Sequence, residues 1–234
     1  MFARLTRSRL VRKARSRLRP LYRRINPWTG LGGLDRKVVP FLPRGRGFFV
    51  EAGANDGLRY SNTHYLEARR GWNGLLIEAI PEMAERCQGN RRRSKVVSAA
   101  LVEPAMDGQK VDLVDVDLMS FVPGSRGSPQ QDESHLVAGE QLQGVRRRVI
   151  TVTGRSLSAI LDEMDAPEID FLSLDLEGYE EQALQGLDLS RHAPTWILVE
   201  SENCEVIGKT LGDGYELVSQ VAHRDWLFHR VGAP

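Results

Sequence analysis

Cysteine is scarce in this sequence, and the absence of any paired cysteine motif excludes two classes of small fold. The 234-residue chain has only Cys87 and Cys204, and no C-x-x-C spacing. A disulfide scaffold and a zinc finger both need more cysteines at closer spacing. The two thiols are therefore expected to act as small apolar side chains on predicted helices.

Long apolar runs are also missing. No stretch of 18 apolar residues exists, so no transmembrane helix is expected, and residues 1–25 lack the apolar centre of a secretory signal. The G-x-G-x-x-G phosphate cradle is absent as well, which argues against a nicotinamide dehydrogenase. The composition that remains is 41% hydrophobic and 27% charged, and it suits one α/β domain with a short appendage.

The first part of the chain lacks acidic residues. Residues 1–24 hold ten basic side chains and no acid, whereas the rest of the chain holds 22 basic and 31 acidic ones. The apolar residues here follow helical spacing: Val11, Ala14, Leu18, Leu21 and Ile25. We expect this basic amphipathic segment, residues 1–25, to contact an anionic membrane peripherally and the protein to be cytoplasmic. A solvated leader and, in a eukaryotic cell, an organelle transit peptide are alternatives, while few interleaved aromatics disfavour nucleic acid.

From residue 46 onward, short apolar runs alternate with helical stretches. The expected strands are 48–53, 74–78, 95–100, 169–175 and 195–200, followed by a hairpin of 215–221 and 226–231. The expected helices are 60–70, one that begins at Pro81, 156–164, 178–187 and 203–211. Strands that alternate with helices predict a mostly parallel sheet with helices on both faces, which binds ligands at the carboxyl ends of its strands.

Composition also suggests where the domain begins and is interrupted. Residues 26–45 are rich in glycine and proline and are expected to be a linker, with the domain at 46–232. An insertion at about 101–154 carries two further expected strands, 111–116 and 145–152. The Ser/Gly/Gln-rich stretch 120–144 lies between these strands and is expected to be a functional or disordered loop.

A glycine turn follows the first strand. Glu51, Gly53 and Gly57 form an E-x-G-x-x-x-G pattern, in which glycines allow a sharp turn and close approach to a ligand. Glu78 stands at the end of the second strand, 21 residues beyond Gly57, where a carboxylate can accept both hydroxyls of a ribose. Together they favour a nucleoside site, and the acid at position 51 suits a cationic ligand better than a pyrophosphate.

Acidic residues crowd the end of the fourth strand. Asp175 and Glu177 are candidates for a general base, for holding an ammonium group or for binding a divalent metal ion. Glu180 is better explained as an acid at a helix start. His64 and His135 are rival bases, one in the first predicted helix and one in the insertion.

Several segments together resemble the FkbM family of S-adenosylmethionine-dependent methyltransferases. These segments are, in order, FFVEAGANDG, SNTHYLE, GWNGLLIEAIPE, IDFLSLDLEGYE and DWLFHR. The resemblance covers about residues 47–231 and excludes the basic segment. It departs at Tyr179, where the family often has alanine, and at Ala79 and Ile80, where relatives commonly have Pro-Asn.

The resemblance implies a Rossmann-like class I methyltransferase fold, α/β, whose mostly parallel seven-stranded sheet ends in an antiparallel hairpin. It implies that S-adenosylmethionine binds at the following residues: Glu51, Gly53, Asn55, Asp56, Gly57 and Glu78. It also implies O-methylation of a sugar, glycolipid or polyketide-type hydroxyl. Asp175 and Glu177 are then the candidate catalytic pair, or the ligands of Mg²⁺ if the reaction depends on a metal. The alternative is a catalytically idle module tethered to a membrane or partner by its basic segment.

Overall fold

In the computed structural model, residues 26–124 and 128–233 are described, apart from the side chain of Leu118. The strands of this part are β1 Phe48–Ala52, β2 Asn73–Glu78, β3 Lys95–Ser98, β4 Ala100–Leu101, β5 Lys110–Asp115, β6 Arg148–Arg155, β7 Phe171–Leu174, β8 Trp196–Glu200, β9 Tyr215–Gln220 and β10 Asp225–Arg230. The α-helices are α1 Leu34–Val38, α2 Pro81–Asn90, α3 Pro129–Gln143, α4 Leu157–Glu163, α5 Glu180–Gln185 and α6 Cys204–Leu211, and Leu66–Arg70 forms a π-helical turn. None of these helices combines the length and apolar character needed to cross a membrane.

Seven strands form the main sheet, in the order β3-β2-β1-β7-β8-β10-β9. The first five of these strands are parallel, and β10 runs antiparallel to both β8 and β9. A parallel sheet with a reversed strand next to its last edge is the arrangement expected of a Rossmann-like class I methyltransferase. The predicted fold class is therefore confirmed.

The main strands are apolar on both faces because helices cover both. On one face Val50, Leu172 and Ile197 pack against helices α4, α5 and α6. On the other face Phe49 and Phe171 pack with α1, the π-helical turn and α2. Each fully buried side chain of this size contributes roughly 1.5–3 kcal/mol, so these short apolar runs hold the sheet together.

The insertion forms a second sheet and a helix. Its strand order is β4-β6-β5, in which β6 is parallel to β4 and antiparallel to β5. The expectation of a loop over 120–144 is wrong, because α3 occupies most of it. Pro129 begins this helix, and Ser128 caps it by accepting a hydrogen bond from the Gln131 N–H at 3.3 Å. Leu136 then packs against Phe121 in a small core of the insertion.

Residues 26–45, which we expected to be a linker, include α1 and pack on the sheet. Leu34, Val38, Val39 and Leu42 are buried in the core that contains Phe49. Glycines and prolines lie at both ends of this segment. The apolar residues between them follow helical spacing and cover one face of the sheet. The predicted amphipathic segment 1–25 lies outside the described residues.

Candidate functional site

A cavity of about 800 Å³ opens at the carboxyl ends of the central parallel strands. Its wall includes Gly53 and Asn55 after β1, Glu78 at the end of β2, and Asp175 and Glu177 after β7. Ligands of open α/β sheets bind at this edge, where the strand order reverses. β1 is that point, because β2 pairs with it on one side and β7 on the other. The cavity is therefore the candidate site.

The turn after β1 requires glycine at position 53. Gly53 has a φ of +80°, and a Cβ there would lie 1.9 Å from the carbonyl oxygen of Asp175. The N–H groups of Gly53 and Ala54 donate hydrogen bonds to the carbonyl oxygen of Ile77, at 3.0 and 3.2 Å. Glycine thus lets the ends of three neighbouring strands approach one another and leaves backbone open to a ligand.

Asp56 and Gly57 shape the same turn from outside the cavity. Asp56 Oδ1 accepts hydrogen bonds from the N–H groups of Leu58 and Arg59, at 2.9 and 2.6 Å. Gly57 has a φ of +76°, and a Cβ there would lie 2.6 Å from Arg91 Cγ. Neither Asp56 nor Gly57 lines the cavity. The structure therefore makes these two predicted cofactor-binding residues part of the support for the turn.

Asn55 and Asn62 present buried amide oxygens at the cavity. Asn55 has a φ of +49°, and both side chains are at least nine-tenths buried. Neither Oδ1 atom has a hydrogen-bond partner among the residues that the structure describes. The Nδ2 of Asn62 donates to Ser173 Oγ at 3.2 Å, which fixes this amide. A buried acceptor without a partner costs free energy, so these oxygens fit N–H or O–H donors of a ligand.

Glu78 joins the glycine turn to the end of β2. Its Oε2 accepts a hydrogen bond from the Asn55 N–H at 2.6 Å, and its Oε1 accepts one from the Ile80 N–H at 2.8 Å. Burial raises the pKa of Glu78 to about 7, although the backbone N–H groups of Ile80 and Asn55 oppose that rise. Because a carboxylate has about four acceptor positions, each oxygen keeps capacity for a ligand hydroxyl.

Glu51 lies outside the cavity wall, in contrast to what the resemblance implies. Its Oε2 accepts hydrogen bonds from Ser61 Oγ and Thr63 Oγ1, at 2.8 and 2.6 Å, and its Oε1 accepts one from the Asn62 N–H at 2.7 Å. Arg91, which is fully buried, lies 3.6 Å from the same carboxylate. Glu51 thereby fixes the loop that carries Asn62 to the cavity.

Asp175 and Glu177 meet the cavity beyond β7, as predicted. Burial raises the pKa of Asp175 well above its ordinary value, and the negative charges of Glu200 and Glu177 add to this effect. Glu177 has a φ of +54°, a conformation that non-glycine residues rarely adopt. Glu180 caps the same turn, because its Oε1 accepts hydrogen bonds from the N–H groups of Leu176 and Gly178.

The two histidines have different surroundings. His135 lies on α3 and is buried, so the expectation of a histidine on a mobile loop is wrong. Its Nε2 lies 2.8 Å from the carbonyl oxygen of Met119 and 3.7 Å from Glu177 Oε2. His64 does not line the cavity, and burial lowers its pKa to about 4, with a further contribution from Arg91. The structure thus places His135 beside the predicted catalytic pair and His64 behind the cavity wall.

The cavity wall also contains charged residues that we did not predict from the sequence to belong to a site. Arg59 pairs with Asp117, and it donates to Gln143 Oε1 at 2.7 Å, so the glycine turn is linked to the insertion. Glu200 ends β8 just as Asp175 follows β7, and the same rule of strand ends would have found it. Asp225 begins β10 and also lines the cavity.

The charged residues that line the cavity are mainly acidic. Among the described residues that line it, six are carboxylates: Glu78, Asp117, Asp175, Glu177, Glu200 and Asp225. Two are arginines, and both are paired, Arg59 with Asp117 and Arg224 with Glu200. Such a lining favours a cationic or neutral ligand over an anionic one. No group of three or more metal-ligating side chains is arranged to hold an ion in residues 26–124 and 128–233.

Comparison with known proteins gives one family match. The methyltransferase FkbM domain matches residues 51–227. Among solved structures, a TehB-like SAM-dependent methyltransferase from Corynebacterium glutamicum is similar at 14% identity and a TM-score of 0.45. That similarity covers 94% of this chain and 97% of the other. None of the curated proteins compared with the chain matches it.

Proposed function

The chain belongs to the FkbM methyltransferase family, and from this premise we propose that it methylates a hydroxyl oxygen of a sugar, glycolipid or polyketide-type molecule. Family membership makes it an S-adenosylmethionine-dependent methyltransferase. The oxygen acceptor and its molecular class are our proposal. The main observation in support of this proposal is that the glycine turn after β1 and the carboxylates after β7 line the same cavity.

The residues around the glycine turn fit S-adenosylmethionine. When bound, this donor supplies an electrophilic methyl group on a positively charged sulfur. We assign Glu78 to accept hydrogen bonds from the ribose hydroxyls and the amide oxygens of Asn55 and Asn62 to accept from other N–H or O–H groups of the donor, and their position at the cavity wall supports this assignment. The acidic lining favours a cation and therefore supports the same assignment.

A hydroxyl acceptor must lose its proton, and Glu177 is our candidate base. Its carboxylate lies at the cavity wall, 3.7 Å from His135 Nε2. If Nε2 carries the imidazole proton, it donates to the Met119 carbonyl oxygen at 2.8 Å and holds the ring beside Glu177. His135 then positions the base. With Glu177 as the base, we assign Asp175 to hold the amino group of the donor. Positioning of the two reactants supplies much of the remaining rate enhancement.

A second cavity, of about 900 Å³, lies beside the first and supports the proposal that the acceptor is polar. It shares Glu177, Glu200 and Arg224 with the first cavity, so the candidate base lies between the two spaces. Its other lining residues include Gln131 and Asn203, whose amides can donate and accept hydrogen bonds. A hydroxyl-rich acceptor such as a sugar suits this lining.

Calorimetric titration of the full chain with S-adenosylmethionine, and separately with S-adenosylhomocysteine, tests the donor site. We expect saturable binding of both. A screen of sugar, glycolipid and polyketide hydroxyls, each with and without Mg²⁺, then tests the acceptor and metal dependence. A folded protein that binds neither ligand would contradict the enzymatic proposal and favour the idle, tethered module. Donor binding followed by methylation of nitrogen only would contradict the oxygen acceptor.

A further inference from the structure

Three large apolar side chains are exposed around the mouth of the first cavity. Leu31 is 62% exposed, Tyr60 is 41% exposed and Leu142 is 75% exposed, and all three line the cavity. They come from three separate parts of the chain: the segment before α1, the loop after β1 and the end of α3. Exposed apolar groups that cluster at one site commonly mark an interaction surface. We call these three residues the apolar rim.

The chain enters the described structure beside this rim. A β-bridge joins Gly30 to Tyr60, and Thr29 Oγ1 donates a hydrogen bond to the carbonyl oxygen of Ser61 at 2.9 Å. Trp28 stacks on Tyr65 with ring centroids 3.6 Å apart. These contacts fix the entry point. Six residue steps separate position 25 from Leu31, and an extended chain covers at most about 3.6 Å per residue, so the basic segment is attached within about 22 Å of Leu31.

The charge and the apolar pattern of the basic segment suit binding to an anionic membrane. Residues 1–24 carry ten basic side chains and no acid, together with apolar residues at helical spacing. Basic side chains bind anionic headgroups, and apolar ones enter the boundary between headgroups and acyl chains. Leu31 and Leu142 are exposed aliphatic side chains of the kind that enters this boundary.

We propose that the basic segment and the apolar rim together dock the protein on an anionic lipid bilayer, with the mouth of the cavity facing the membrane. RNA is the less suitable occupant, because the exposed aliphatic side chains of Leu31 and Leu142 can enter a bilayer, whereas a single-stranded nucleic acid stacks its bases on aromatic side chains. Docking in this orientation presents the cavity to hydroxyl groups at the membrane surface. The proposal goes beyond methyl transfer and does not depend on it.

Cosedimentation of the full chain with vesicles tests the docking surface. Phosphatidylcholine vesicles are compared with vesicles that also contain phosphatidylglycerol. We expect binding to the anionic vesicles, and we expect Leu142→Ser and Leu31→Ser each to weaken it by up to about tenfold, since each removes one apolar side chain from the interface. Leu217→Ser is the matched control: Leu217 is 50% exposed, but it lies on the edge strand β9 and does not line the cavity. Thermal melting of each variant verifies folding.

Two further measurements separate the parts of the surface. The combined substitution Arg12→Gln, Arg15→Gln and Arg19→Gln should weaken binding to anionic vesicles and leave the small affinity for neutral ones unchanged. Brominated lipids should quench the fluorescence added by Leu142→Trp, but not that added by Leu217→Trp.

Three results would overturn the proposal. The first is unchanged vesicle binding in both rim variants, which would leave the basic segment acting alone or covering the rim itself. The second is unchanged binding after the arginine substitutions. The third is binding to an RNA homopolymer without binding to vesicles. None of these results depends on donor binding, so failure here is distinguishable from failure of the proposed function.

Discussion

The backbone N–H of Asn55 donates a hydrogen bond to Glu78 Oε2 across 2.6 Å. This bond joins the turn after β1 to the end of β2, and it fixes the left-handed backbone of Asn55 at the cavity wall. Glu78 therefore has two roles, because the carboxylate that we assign to the donor ribose also holds the turn.

Replacement of Glu78 by alanine should weaken the binding of S-adenosylmethionine by tenfold or more. The change removes the proposed ribose contact and also the acceptor for the Asn55 N–H, and hydrogen bonds to a charged group contribute about 1.5–3 kcal/mol. Isothermal titration calorimetry measures the loss. Glu82→Ala is the control, because Glu82 lies in α2, outside the cavity wall, and should leave donor affinity unchanged. Equal affinities in both variants would contradict the assigned site.

The unfolding free energy should depend on pH through Glu78. Burial raises its pKa from 4.5 to about 7, so the folded state holds a proton that the unfolded state has lost between these values. Stability from this group is full below pH 4.5 and is lost as pH rises through about 7, by roughly 3 kcal/mol. Urea denaturation from pH 4.5 to 8 should show this fall. Glu78→Gln should reduce the fall, and parallel profiles for the two proteins would contradict the prediction.

Alanine at position 53 should abolish donor binding or prevent folding. Its Cβ would lie 1.9 Å from the Asp175 carbonyl oxygen, so β1 and β7 would have to separate at their carboxyl ends. Gly108→Ala is a matched control, because Gly108 has nearly the same φ, +78°, and nothing lies within 4 Å of an added Cβ. That change should cost about 1 kcal/mol of unfolding free energy and preserve donor binding. Equal stability of the two variants would show that the close approach does not matter.

Replacement of Glu177 by glutamine should lower turnover about a hundredfold or more and change donor affinity little, as expected for loss of a general base. His135→Gln should have a smaller effect on turnover and should shift the pH profile, because it removes the ring beside the Glu177 carboxylate. Single-turnover rates with an accepted hydroxyl substrate, measured across pH, check both.

Glu205→Gln is the control for these two variants, since Glu205 lies in the first turn of α6 and outside both cavities. Unchanged turnover in Glu177→Gln would remove Glu177 as the base. An unshifted pH profile in His135→Gln would leave that histidine with a structural role only.

The strands were predictable because each one is a short run of apolar residues that can be recognised in the local sequence. Runs such as Phe48–Ala52 are apolar on both faces, since helices cover both sides of the sheet. The helix Pro129–Gln143 was not predictable in the same way. It buries only His135, Leu136 and Gly139, about one turn, so no apolar stripe runs along its length. Its start signal, Ser128 before Pro129, was the available evidence.

The predicted site residues that line the cavity lie at or just after the end of a strand. Gly53, Glu78 and Asp175 each follow or end a strand, and the carboxyl ends of parallel strands share one edge. Glu51 differs, because it lies within β1 and its side chain direction is set by the sheet face. Its partner Arg91 is distant in the sequence, and no local sequence pattern predicts this contact.

Glutamine at position 51 should therefore destabilise the fold more than it weakens donor binding. Arg91 is fully buried and is shared between Glu51 and Glu67, and loss of one partner from a buried ion pair costs roughly 3–5 kcal/mol. Chemical denaturation of Glu51→Gln measures that loss, and calorimetry on the fraction that remains folded measures donor affinity. Arg91→Lys should cause a similar destabilisation, because a single ammonium cannot replace the guanidinium contacts to Glu67, Gly57 and Thr63. If Glu51→Gln retained full stability but lost the donor, the carboxylate would belong to the binding site as the family resemblance implies, and the loop at Asn62 would have to move for Glu51 to reach the ligand.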